Sequence, residues 1–145
     1  MFKKILVPVD GSEEAKKAVG IAREMVEISD ASATLVFVLP PLTLIASAAP
    51  GEEKILQAIP ELIDFREKEG NEILDELVSH FPPGRAEKKL LEGHPARCIL
   101  TYAKEENFDL IIIGSRGMSR IAGFLLGSVS DAVVHHAHCP VLIVR

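Results

Sequence analysis

Tryptophan is absent from this 145-residue chain, and tyrosine occurs once. With aromatics at 5% of residues, little is left to build the stacking platforms on which single-stranded nucleic acids bind. Basic residues are also in deficit: 16 Lys and Arg stand against 21 Asp and Glu, a formal net charge of −5. That balance argues against the basic stripe of a nucleic-acid surface. No apolar run approaches the ~18 residues of a membrane span, and the opening MFKKILVPVD reads as a strand and not as a signal peptide. Cysteine occurs twice, at Cys98 and Cys139, far apart and without the spacing of metal ligands. These absences lead to the expectation of a cytoplasmic protein with reduced thiols, no nucleic-acid partner and no membrane partner.

What the chain does contain is apolar material in short, regular runs. ILVPV (5–9), ATLVFVL (33–39), LIII (110–113) and PVLIVR (140–145) are apolar without alternation, as suits parallel strands buried on both faces. AEKKLLEG (86–93) alternates and carries charge, so it reads as a fifth strand nearer an edge. Helical spacing fills the intervals. Ser12 is placed to cap a helix with apolar positions Ala15, Ala18, Val19, Ala22 and Met25. A second helix is predicted from Pro60, at a first helical position, to Phe81, where PPG (82–84) stops it. His94-Pro95 opens a shorter one, and Val129 to about Ala137 gives the last. The alternation predicts one domain over 1–145, an α/β fold of three layers with an open, mainly parallel five-stranded sheet and helices on both faces. The stretch PPLTLIASAAPGEEK (40–54) has no clean period; its length suits a functional lid or a locally packed surface loop equally.

Ligands in open α/β sheets bind beyond the carboxyl ends of strands, where strand order reverses. In the order 3-2-1-4-5 the crevice is flanked by PVDGS (8–12) and by GSRGMSRIAGFLLGS (114–128). The flavodoxin-like order 2-1-3-4-5 pairs PVDGS with EGHPA (92–96) instead. The first order brings the two most ligand-like loops together and is the one expected.

The glycine-rich stretch holds four glycines, two arginines, three serines and no acid, a locally basic segment in an acidic chain. Gly127-Ser128 precedes the last helix, whose N-terminal amides form an anion site. It is not a Walker A loop, since no lysine lies between Gly114 and Arg145. Nor is it a dinucleotide fingerprint, which follows the first strand and not the fourth. Taken alone, it is either a phosphate cradle or a loop that turns the chain into a packed helix.

Gly114-Ser-Arg-Gly117, nine residues, then Gly127-Ser128 follow the pattern G-x2-G-x9-G-[ST], and in this the chain resembles the nucleotide-binding branch of the universal stress protein family. The resemblance runs through KKILVPVDGSEEA, the GHPA turn, FDLIIIGSRG and the closing CPVLIVR. It implies the 3-2-1-4-5 sheet of the adenine nucleotide alpha hydrolase-like fold and ATP as ligand, with Mg²⁺ beside it. It also implies a homodimeric, nucleotide-dependent stress-response regulator that answers to a protein partner. Carried over residue by residue, Gly114, Gly117, Gly127 and Ser128 line phosphates and ribose, and Val129 adds its backbone amide. Asp10 stands near the ribose and the metal, Pro8 and Val9 edge the base pocket, and Val38 meets the adenine through its backbone. Arg116 and Arg120 are added as phosphate neighbours from their charge alone, and Gly123 reads as spacing.

Each candidate has a plainer alternative. Asp10 also suits an Asx turn into the first helix. HHAHC (135–139) looks like a metal cluster, yet adjacent histidines on a helix point roughly 100° apart and near a C-terminus suit the terminal carbonyls better. Cys98 and Cys139 read as buried apolar thiols. No Ser-His-Asp, Cys-His or paired-acid arrangement points to hydrolysis, so a binding site is expected, with slow ATP hydrolysis or nucleotidyl transfer as the enzymatic alternative. The final strand, apolar at an open edge, leads to the expectation of a homodimer paired through residues 140–144.

Overall fold

Strands and helices alternate along the chain in the computed structural model, which describes residues 1–42, 52–117 and 126–145, with backbone alone at 52–59. Strands β1 (Lys4–Val9), β2 (Ser32–Leu39), β3 (Ala86–Glu92), β4 (Leu110–Gly114) and β5 (Val141–Val144) form one sheet in the order β3-β2-β1-β4-β5. Every pairing is parallel. Between the strands run α1 (Glu13–Glu27), α2 (Glu52–Val78), α3 (Pro95–Glu105) and α4 (Ser128–His136). The expected order 3-2-1-4-5 is therefore the order found.

The apolar runs explain the layers. Successive strand residues point to opposite faces, so an unbroken apolar run needs cover on both. Ile5, Val7, Leu35 and Ile112 belong to one core, which α1 and α2 cover with Ala15, Ala18, Val19, Ala22, Leu74 and Leu77. Leu6, Val36, Ile111 and Ile113 belong to the other, covered by Ile99, Ala103 and Val133 of α3 and α4. Each fully buried aliphatic side chain contributes about 1.5–3 kcal/mol of transfer free energy, which makes the double burial of β1 and β4 the main source of cohesion. The alanines of α1 let that helix lie close against β4.

Local signals set most helix ends. Ser12 Oγ accepts from the Ala15 amide at 3.2 Å, the capping predicted from its type. The last turn of α1 has no basic residue of its own. Arg85, ahead of β3, supplies one: its guanidinium donates to Ser29 O at 2.7 Å and to Ala31 O at 2.6 Å. The second helix departs from expectation. It begins at Glu52, and Pro60 lies inside it. An interior proline removes one backbone bond and crowds the carbonyl four residues back, at about 3 kcal/mol. Here EEKILQAI, rich in strong helix formers, carries the helix through, and Pro60 is exposed. Residues 43–51 of the unpatterned stretch lie outside the described residues.

The two sheet edges differ in chemistry. On β3, Glu87, Lys88 and Lys89 are exposed; Lys88 Nζ pairs with Asp75 Oδ1 at 2.6 Å, and Lys89 Nζ lies 5.8 Å from the Tyr102 ring centre. On β5 the sequence is VLIV, with Leu142 39% exposed. Among the described residues, no helix is long and apolar enough to cross a membrane.

Candidate functional site

Strands β1 and β4 pair through Ile5↔Leu110 and Leu6↔Ile111, whereas β1 follows β2 as far as Val9↔Phe37. Beyond Leu6 the first pair parts, and a cavity of about 420 Å³ opens at the carboxyl ends of the strands. This is the switch point of the sheet, where ligands of doubly wound folds bind. The volume falls within the usual range for small-molecule sites.

The sequence-predicted residues meet there. Pro8, Val9 and Asp10 line the cavity from β1, and Val38 lines it from β2. Gly114, Arg116 and Gly117 come from the end of β4, and Gly127, Ser128 and Val129 from the start of α4. Arg120 lies outside the described residues. Residues that the sequence reading passed over also take part: Phe37, Pro40, Pro95 and Ile99 on the apolar side, Ser12 and Ser130 on the polar side. Ser130 carried one legible signal, a serine three residues after the glycine that starts a helix.

The cavity therefore has two ends of unlike chemistry. The apolar end is walled by Pro8, Phe37, Val38, Pro40 and Ile99. Backbone polarity enters here at one point. Ser32 N donates to Lys3 O on the β1 side, and Ala33 N donates to Arg85 O on the β3 side. Parallel strands alternate in this way, so even-numbered β2 residues turn their backbone groups toward β1. Val38 is the last of them and lies one residue past the final β1–β2 pair, so its carbonyl heads the gap beyond β1.

The polar end is framed by two helix N-termini. On one side, α1 is capped by Ser12 and has Glu13 and Glu14 in its first turn. Asp10 Oδ1 accepts from the Ser12 amide at 2.9 Å, which realises the Asx turn that was the plainer reading of Asp10. Its second oxygen lies 2.6 Å from the position a Cβ on Gly117 would take, so any other residue at 117 would require this carboxylate to shift. On the other side, α4 is capped by Gly127, which gives no side-chain hydrogen bond. The amides of Ser128 and Val129 have no partner within their own helix, and Arg116 stands beside them. Asp131, also in that turn, is exposed and lies 3.6 Å from His135 Nδ1. An anion is therefore favoured at α4 and opposed at α1.

The glycines serve different purposes. A Cβ at Gly114 would fall 2.9 Å from the Glu14 carbonyl carbon and 3.1 Å from the Ala15 nitrogen, both backbone atoms of α1. Gly114 lines the cavity, and its missing side chain also answers to helix–strand packing against α1. A Cβ at Gly127 would meet its neighbours at 3.5 Å or more, ordinary contact. The two ends of the stretch are also tied to one another. Ser115 O accepts from Gly127 N at 2.7 Å and from Ser130 Oγ at 2.7 Å, while Ser115 N donates to Val144 O at 2.7 Å.

Other candidates take up plainer roles. His135 Nδ1 lies 2.8 Å from Asp131 O and His138 Nε2 lies 3.1 Å from Phe108 O, so both contact carbonyls. Among the described residues, no cluster of three or more His, Cys, Asp or Glu side chains is placed to hold a metal ion. Cys98 and Cys139 are half-buried, less enclosed than expected. Burial pushes both thiols up from the ordinary value; Arg97 pulls Cys98 partly back, and Asp109 adds to the rise at Cys139.

Similarity to known proteins agrees with this architecture. The profile of the universal stress protein family matches residues 1–145. A universal stress protein of Thermus aquaticus is 35% identical over 145 residues, with all of both chains covered. The structure of the universal stress protein UspA from Lactobacillus plantarum superposes with a TM-score of 0.83 at 25% identity, covering 99% of this chain and 98% of that one. A universal stress protein solved in complex with cAMP is 26% identical, with a TM-score of 0.64 and coverage of 99% and 97%. A match over the whole length, on a sheet of this order with this crevice, places the chain in the universal stress protein family.

Proposed function

We propose that this chain binds an adenine nucleotide, ATP first among them, in the crevice between β1 and β4, and acts as a nucleotide-dependent regulator. The observation that carries the reading is the division of the cavity into an apolar end and an anion-favouring end. The base lies between Pro8, Val9 and Ile99, with its exocyclic amine donating to the Val38 carbonyl. The phosphates lie against Gly117, Gly127 and the amides of Ser128 and Val129, with Arg116 adding charge. A relative of 26% identity that holds cAMP supports the same class of ligand.

Asp10 fits a role as cation holder at the phosphate end. One of its oxygens serves the turn and the other points toward Gly117, so it offers a single carboxylate. Mg²⁺ takes its remaining ligands from phosphate oxygens and water in such sites, and neutralises the phosphate charge. The chain's own contribution is to orient the phosphates by backbone amides and to leave room for them.

We further infer a homodimer built by antiparallel pairing of the two β5 edges over residues 140–144, with a separate protein partner that reads the nucleotide state. The support is the apolar VLIV edge, on which Leu142 is exposed. Sedimentation at several concentrations tests it; a monomer at all of them overturns the dimer.

Mass spectrometry of small molecules released from purified protein, followed by calorimetric titration with ATP, tests the nucleotide reading. ATP is expected to bind, and Gly127→Leu is expected to abolish binding with the circular dichroism spectrum unchanged. Equal binding by Gly127→Leu and the parent chain overturns the site assignment.

A further inference from the structure

We propose that Ser130 is a positioning residue for the phosphate end of the site, a proposal that rests on the nucleotide-binding reading above. Its hydroxyl ties the two ends of the glycine stretch together. Ser130 is 2% exposed, and its Oγ lies 2.7 Å from Ser115 O and 3.1 Å from Gly127 O. Ser115 follows β4 directly, and Gly127 is the cap of α4. These two segments come from distant parts of the stretch, and the relative placement of Gly117 and Gly127 follows from theirs.

The fixing is anchored to the sheet. Ser115 N donates to Val144 O at 2.7 Å, and Ser115 O accepts from Gly127 N at 2.7 Å. A carbonyl oxygen accepts two hydrogen bonds, and here the Gly127 amide and the Ser130 hydroxyl fill both positions. Removing the hydroxyl leaves Ser115 O with one donor, so no buried acceptor is orphaned and the fold survives. What is lost is a second constraint on the angle at which α4 presents its first amides to the crevice. A cradle of backbone amides works only when the amides converge on one point, and small displacements weaken it. Ser130 does not need to touch the ligand to matter.

The sequence pattern does not mark this residue, since G-x2-G-x9-G-[ST] ends at Ser128. The structure distinguishes Ser130 from Ser128 by burial: Ser128 is exposed at the cavity mouth, while Ser130 is enclosed behind it.

The test compares ATP with adenosine, which lacks the phosphates. Titration calorimetry is run on the parent chain and on Ser130→Ala, Ser130→Val and Ser130→Thr, with thermal melts of each without ligand. Ser130→Ala and Ser130→Val are expected to weaken ATP binding about tenfold and to leave adenosine binding within about twofold. Ser130→Thr, which keeps the hydroxyl, is expected to restore ATP binding. ATP affinity in Ser130→Ala within about twofold of the parent overturns the proposal, as does an equal loss for ATP and adenosine. Should the parent chain bind neither ligand, the nucleotide reading itself falls, an outcome separate from either of these.

Discussion

Two helices begin at the same crevice and are finished in opposite ways. At α1 the chain satisfies its own amides: Ser12 caps the helix, Asp10 accepts from Ser12, and Glu13 and Glu14 complement the dipole. At α4 the cap is Gly127, with no side-chain hydrogen bond. The first arrangement favours stability and the second leaves donors for something from outside. The same physical feature, first-turn amides without intrahelical partners, is thus answered by side chains at α1 and left without a side-chain cap at α4. A third helix, α3, sits between these cases: His94 gives no side-chain cap, and Pro95 at the first position has no amide to offer.

The contrast can be reversed by one substitution. Gly127 has φ −72° and ψ 164°, which any residue adopts, and a Cβ there meets only ordinary contacts. Gly127→Asp should therefore cap α4 as Ser12 caps α1, with its carboxylate occupying the place of the phosphate. Titration is expected to show ATP affinity reduced more than about a hundredfold, while the ligand-free protein melts at a higher temperature. A fall in both quantities would refute the comparison.

Gly114→Ala probes where the two regions touch. Its Cβ collides with the α1 backbone, so urea unfolding should show a loss of about 2 kcal/mol, with ATP affinity near that of the parent under folding conditions. Ser12→Ala should cost about 1 kcal/mol of stability by the same measurement and leave ATP affinity unchanged. A large effect of Ser12→Ala on ATP would mean that α1 also serves the ligand. The smallest effect concerns α3. A thiol near a helix N-terminus is usually acidified, yet at Cys98 burial wins and raises the pKa above its ordinary 9.0. A raised value means less thiolate at neutral pH, so labelling by iodoacetamide near pH 7.5 should be slower than for free cysteine and should climb as pH approaches and passes 9.

The fold was legible because apolar runs of β-branched residues leave few alternatives. ILVPV and LIII cannot face water on either side, and the two ligand-like loops decided the strand order. The start of α2 was not legible, because Pro60 looked like a first-turn proline and the cost of one inside a helix is offset by neighbours that favour helix. At the site, Asp10 and the motif positions Gly114, Gly117, Gly127 and Ser128 line one cavity, but spacing is silent on why each glycine is needed. Gly114 illustrates this: only the placement of Glu14 and Ala15 in the fold reveals what its side chain would strike. Ser130 was missed because its one signal, a place three residues after Gly127, does not tell a buried serine from a surface one.

The unlike edges of the sheet set a limit on growth. Two copies that join through β5 place a β3 strand at each outer boundary of the combined sheet. Those boundaries carry Glu87, Lys88 and Lys89, whose charges penalise the approach of another strand. Assembly by this route consumes its one permissive edge in the first step. Such a dimer would be a finite particle with a defined stoichiometry and not a propagating fibre, because the charged residues and the aliphatic ones fall on opposite edges of the strand order.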